Sequence, residues 1–91
     1  MGEPSVVIDW IGGNCTVQAE GTVDGEPFYF RARGERWSIG IGGDPVDEPK
    51  WFYEEPYGTW PDAGWMAVEE AETFLQAAVR RYAERPDPRG G

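Results

Sequence analysis

Three dipeptides in the first half of the chain have the composition of two-residue hairpin turns: Gly12-Gly13, Asp24-Gly25 and Gly34-Glu35. Asp-Gly suits a type I′ turn and Gly-X a type II′ turn. Turns so placed fix a register, and polarity checks it. Across the first, Trp10 faces Cys15, Ile8 faces Val17 and Val6 faces Ala19. Across the second, Ala19 faces Phe30 and Val17 faces Ala32. Across the third, Ala32 faces Trp37, Phe30 faces Ile39 and Phe28 faces Ile41. All of these are apolar. The other face receives Asp9, Thr16, Gln18, Glu20, Tyr29, Arg31, Arg33, Arg36 and Ser38. A slip of one residue inverts the whole pattern. The expectation is an antiparallel meander with strands at about 5–11, 14–23, 26–33 and 36–42.

The period changes downstream. Val68, Ala71, Phe74, Leu75, Ala78, Val79 and Tyr82 recur at steps of three and four, which predicts a helix over about 67–84. Glu69, Glu70 and Glu72 fall in its first turns and Arg80, Arg81 and Arg85 at its end, matching the helix dipole. Pro86 stops it, and 85–91 is expected to be a frayed tail. The apolar stripe packs on the apolar sheet face, giving an α+β domain of two layers. Ninety-one residues hold one such domain.

Residues 44–72 hold most of the net charge. Nine acids (Asp44, Asp47, Glu48, Glu54, Glu55, Asp62, Glu69, Glu70, Glu72) oppose Lys50, which makes −8 of the chain's −9. The stretch also carries Trp51, Phe52, Tyr53, Tyr57, Trp60 and Trp65, six of thirteen aromatics (five Trp, four Tyr, four Phe). A disordered acidic tail would lack them. Its four prolines, Pro45, Pro49, Pro56 and Pro61, predict a mostly irregular acidic, aromatic loop over 43–66. Within it, 51–55 is a candidate fifth strand at the sheet edge.

Several chemistries are excluded. Histidine is absent and cysteine occurs once, so Ser–His and Cys–His catalysis, ordinary zinc sites and an internal disulfide have no residues to form them. Cys15, placed beside Trp10, reads as a buried thiol. Adjacent carboxylates such as Glu54-Glu55 point to opposite faces of a strand and make no acid–base couple. Asp44, Asp47 and Glu48 do not have EF-hand spacing. Gly40-Ile41-Gly42-Gly43 is followed by no helix and reads as a bend or close contact. Arg31, Arg33 and Arg36 line the solvent side of the third turn, where Glu20 or Glu35 would offset them. No enzyme activity, cofactor or metal is expected. The acidic start Met1-Gly2-Glu3-Pro4 lacks signal-peptide features and no apolar run reaches transmembrane length, so the expected location is the cytosol, of a bacterial host.

What remains is binding. Concentrated negative charge on a rigid base favours cationic partners and repels nucleic acid and anionic membrane. Carboxylates on a folded surface approximate the phosphate charge of a duplex, about one per ~1.7 Å of axis. Small, acidic, cysteine-poor one-domain α+β chains without catalytic signatures resemble phage and prophage anti-CRISPR proteins. The resemblance spans the chain and rests on size, charge and lack of chemistry, with no diagnostic motif. It implies an inhibitor that binds a basic, DNA-binding surface of a Cas subunit and blocks target DNA. In this reading Asp44, Asp47, Glu48, Glu54, Glu55, Glu69, Glu70 and Glu72 pair with Lys and Arg of the partner. Trp51, Tyr53, Tyr57 and Trp60 supply apolar anchors. The alternatives are a phage or bacterial accessory protein that self-assembles, as a homodimer, or binds another chain through its aromatic loop, and a sugar or small-ligand binder with an exposed aromatic cleft.

Overall fold

The computed structural model describes residues 5–13, 16–59 and 62–84. Five strands form one antiparallel sheet in sequence order: β1 (Val6–Gly12), β2 (Val17–Val23), β3 (Glu26–Arg33), β4 (Arg36–Asp44) and β5 (Glu48–Pro56). A short 3-10 turn, Asp62–Trp65, precedes α1, Val68–Ala83, the one α-helix among the described residues. This is the expected α+β meander with a C-terminal helix.

The second and third hairpins have the register that the turns dictate. Val17 opposes Ala32, Ala19 opposes Phe30, Phe30 opposes Ile39 and Ala32 opposes Trp37. Asp24 and Gly25 both have positive φ (50° and 84°), as a type I′ turn requires. The inward residues of β2–β4 meet Ala71, Leu75, Ala78 and Val79 of α1 in one core. Trp37 is its centre, stacked between Phe30 (ring centroids 5.5 Å) and Phe74 (5.3 Å). Its indole N–H has no acceptor among the described residues.

The first hairpin differs from expectation. Val6 opposes Val23 and Ile8 opposes Gly21, not Ala19 and Val17. The register then shifts between Ile8 and Trp10, a bulge at Asp9, so that Ile11 faces Ala19. Ile11 therefore packs against the core. Trp10, expected on the apolar face, is 51% exposed. Two features outweigh the Gly12-Gly13 signal. A Cβ on Gly21 would lie 1.8 Å from the Val7 carbonyl oxygen, so only glycine lets β1 cross there. Ser5 and Asp24 clamp the start of β1 to the β2–β3 turn, with Asp24 N–H donating to the Ser5 carbonyl and Ser5 N–H to the Asp24 carboxylate, both at 2.8 Å. Cys15 lies outside the described residues, as does the expected tail from Arg85 onward.

The 43–66 stretch is not mostly irregular. β4 runs on to Asp44, and β5 covers nine residues in one register, from Asp44 opposite Glu48 to Arg36 opposite Pro56, with Gly42 and Lys50 unpaired where Gly42 and Gly43 take positive φ. Pro56 takes an outward position on this edge strand, where a missing N–H is tolerated, and Pro49, opposite Gly43, gives up a bond only near the end of the ladder.

Candidate functional site

β5 sorts the acidic stretch by alternation. Pro49, Trp51, Tyr53 and Glu55 are half-buried, while Lys50, Phe52 and Glu54 are exposed. Trp51 packs edge-on against Tyr82, and Arg81 lies 4.8 Å over the Tyr53 ring. The odd-numbered face of β5 is thus the one that α1 covers. Trp51 and Tyr53, expected as partner anchors, are half-buried beneath the helix. Tyr57 is also half-buried, edge-on to Phe74. Trp60 lies outside the described residues.

The acids fall into three groups. Asp44, Asp47 and Glu48 form the β4–β5 turn. There the Asp44 carboxylate accepts the N–H groups of Val46 and Asp47, both at 3.1 Å, and so shapes the turn. The turn folds back over β4: a Cβ on Gly40 would come within 2.3 Å of the Pro45 carbonyl oxygen. Glu54 points to the open sheet face and pairs with Arg36 at 3.4 Å, beside Arg31 and Arg33. Glu55, Asp62, Glu69, Glu70 and Glu72 form the third group, around the end of β5 and the start of α1. Glu48 and Glu55 are seven residues apart, about 23 Å along a strand. The turn acids and the helix-start acids therefore occupy opposite ends of β5.

The third group is built on hydrogen bonds. The Tyr57 hydroxyl donates to Glu70, tying β5's exit to the first helical turn. Tyr53 donates its hydroxyl to Glu55. Each tyrosine's pKa is raised above the usual phenol range, first by its bond to the carboxylate and then by burial. Asp62 accepts from the backbone N–H of Thr59 at 3.0 Å and from its hydroxyl. Ala63 N–H reaches the Gly34 carbonyl at 2.9 Å, which docks the 3-10 turn on the β3–β4 hairpin.

No protein-family model matches this chain, and comparison with curated proteins and with solved structures finds no match.

The helix-start group also presents apolar surface. Trp65 is 59% exposed and Val68 39% exposed, the latter beside Glu69, Glu72 and Arg80. Neither was among the expected anchors. The signal available for Trp65 was its place between the loop and the helix, on neither periodic face. Phe52, 56% exposed on the open face, is not among the expected anchors either, because only strand alternation separates it from Trp51 and Tyr53. Among the described residues, no three Asp, Glu, Cys or His side chains converge as metal ligands. No helix among them is long and apolar enough to cross a membrane.

Proposed function

We propose that this protein is a non-enzymatic inhibitor that binds a basic, nucleic-acid-binding protein. The proposed target is the DNA-binding part of a CRISPR interference complex, and the contact surface is the acidic end formed by the 3-10 turn and the start of α1. The observation that carries this reading is the exposure of Trp65 and Val68 in a segment rich in carboxylates. Between Trp51 and Val79 the sequence contains no lysine or arginine, so nothing in this segment offsets its acids. An exposed tryptophan on a segment whose own charges are all acidic has the composition of an interface anchor with a steering rim, although Arg80 borders the surface beside Val68, Glu69 and Glu72. The same sign of charge disfavours direct nucleic-acid binding.

The test uses purified interference complex and target duplex in a gel-shift competition. The wild-type protein is expected to abolish duplex binding, with inhibition weakening as salt rises. Trp65→Ala should weaken inhibition at least about tenfold, the range of an interface anchor. Glu69→Lys with Glu72→Lys should weaken it further at low salt. Undiminished inhibition by both variants would overturn the assignment of this surface. Absence of inhibition by the wild type across interference complexes would overturn the target.

A further inference from the structure

We infer that β5 pairs with β5 of a second copy, in antiparallel register centred on Phe52, to form a two-fold dimer with one continuous sheet. The direction of the backbone groups comes first. A two-residue turn at Gly34-Glu35 makes Arg33 and Arg36 a mutually hydrogen-bonded pair, so the even-numbered residues of β4 bond to β3 and the odd ones to β5. The Tyr57 N–H, which donates to the Glu35 carbonyl at 2.7 Å, continues that same ladder past the end of β5. On β5 the odd residues therefore bond inward, and Lys50, Phe52 and Glu54 turn N–H and C=O outward. No other backbone bond from the described residues reaches this edge. The opposite edge, β1, is interrupted by its bulge at Asp9.

The side chains on the outward positions are self-complementary. With the axis at Phe52, Lys50 of each copy lies opposite Glu54 of the other, and Phe52 lies opposite Phe52. All three are exposed, and Phe52 and Glu54 lie on the open sheet face; within one copy Lys50 is 3.8 Å from Glu26 and Glu54 is 3.4 Å from Arg36, so both exposed pairs are exchanged or shared when the edge closes. On the other face Trp51 comes opposite Tyr53. The neighbouring registers are poorer. Moving the axis to Lys50 opposes two lysines, and moving it to Glu54 opposes two glutamates. An axis at Trp51 sets Glu48 against Glu54, and one at Tyr53 leaves both charges without opposite partners. Opposite charges and aromatic pairs directly across a ladder stabilise it, and like charges destabilise it. Lysine and flanking prolines on an edge strand usually discourage pairing. Here Glu54, two positions beyond Phe52, turns the same lysine into half of a reciprocal pair. A second copy is thus the partner that matches this edge in charge, and the interface is closed and isologous.

Sedimentation equilibrium over a wide concentration range tests the pairing. The wild-type protein is expected to dimerise. Lys50→Glu and Glu54→Lys should each weaken the dimer about tenfold, because each replaces two attractions with two repulsions. The double variant, Lys50→Glu with Glu54→Lys, should restore it. Both side chains are exposed, and circular dichroism verifies that each variant is folded. A wild type that stays monomeric at every concentration overturns the inference. So does a double variant that dimerises no better than the single ones, or a dimer indifferent to Phe52→Ala. None of these residues belongs to the proposed partner surface, so loss of the dimer and loss of inhibition are separate outcomes.

Discussion

At the scale of single residues, the acidic stretch uses its carboxylates in different ways. Asp44 shapes a turn, Asp62 holds Thr59, and Glu55 and Glu70 receive phenol hydroxyls. The two phenols yield a pH dependence whose sign is fixed. A phenol that donates to a carboxylate resists ionisation, because phenolate would face another anion. The folded pKa of Tyr53 and of Tyr57 is raised above the unfolded value near ~10. Above pH ~10 the unfolded chain has given up protons that the folded chain retains, so stability falls as pH rises. The contribution is fully present below the unfolded pKa and is lost as pH passes the folded one. Urea midpoints followed from neutral to alkaline pH should fall, and Tyr57→Phe should flatten that fall. At neutral pH the same variant should cost no more than about 1 kcal/mol, one exposed hydrogen bond. Sequence could not name these bonds, since Tyr57 and Glu70 are thirteen positions apart and belong to different elements.

At the scale of elements, legibility followed the locality of the signal. The β2–β3 and β3–β4 hairpins were readable because turn chemistry and alternation act within a few residues. The β1–β2 register was not. It is set by a close approach at Gly21 and a clamp between Ser5 and Asp24, nineteen residues apart. β5 was readable only in part, because Pro49 and Pro56 mark breaks in most contexts and are tolerated at an edge. Its existence decides the site: alternation sends Glu54 and Glu55 to opposite faces and divides the acidic loop into separate groups. The helix stripe was legible, but its start carries an unmet need. Ala67 is the N-cap, with φ −68° and ψ 147°, and no side chain caps the first turn. These angles suit a capping serine, with Glu70 three residues on. Ala67→Ser should therefore stabilise the protein by about 1 kcal/mol. Thermal denaturation would register this as an upward shift of roughly 4–8 °C for a domain of this size.

At the scale of the whole molecule, seventeen carboxylates face eight bases. The two ion pairs formed among the described residues are long and exposed, Arg36–Glu54 at 3.4 Å and Lys50–Glu26 at 3.8 Å. Pairs of that kind contribute about 0–1 kcal/mol each. Screening them loses little, while screening the excess negative charge relieves repulsion throughout the compact state. The melting temperature should therefore rise from low salt to ~0.1 M, where the Debye length has shortened to ~10 Å. A fall over that range would mean that attractive pairs outweigh net repulsion in this fold. The three processes then separate by their response to salt. Folding gains, since the net charge is self-repulsive. Dimerisation through β5 brings two copies of charge −9 together and should gain as well, although its Lys50–Glu54 contacts are screened. Capture of a basic partner by the helix-start acids should weaken, because there the long-range term is attractive. One salt series, with melting temperature, sedimentation and partner binding measured in parallel, should give rises in the first two and a fall in the third. A partner affinity that rises with salt would place recognition on Trp65 and Val68 rather than on the carboxylates around them.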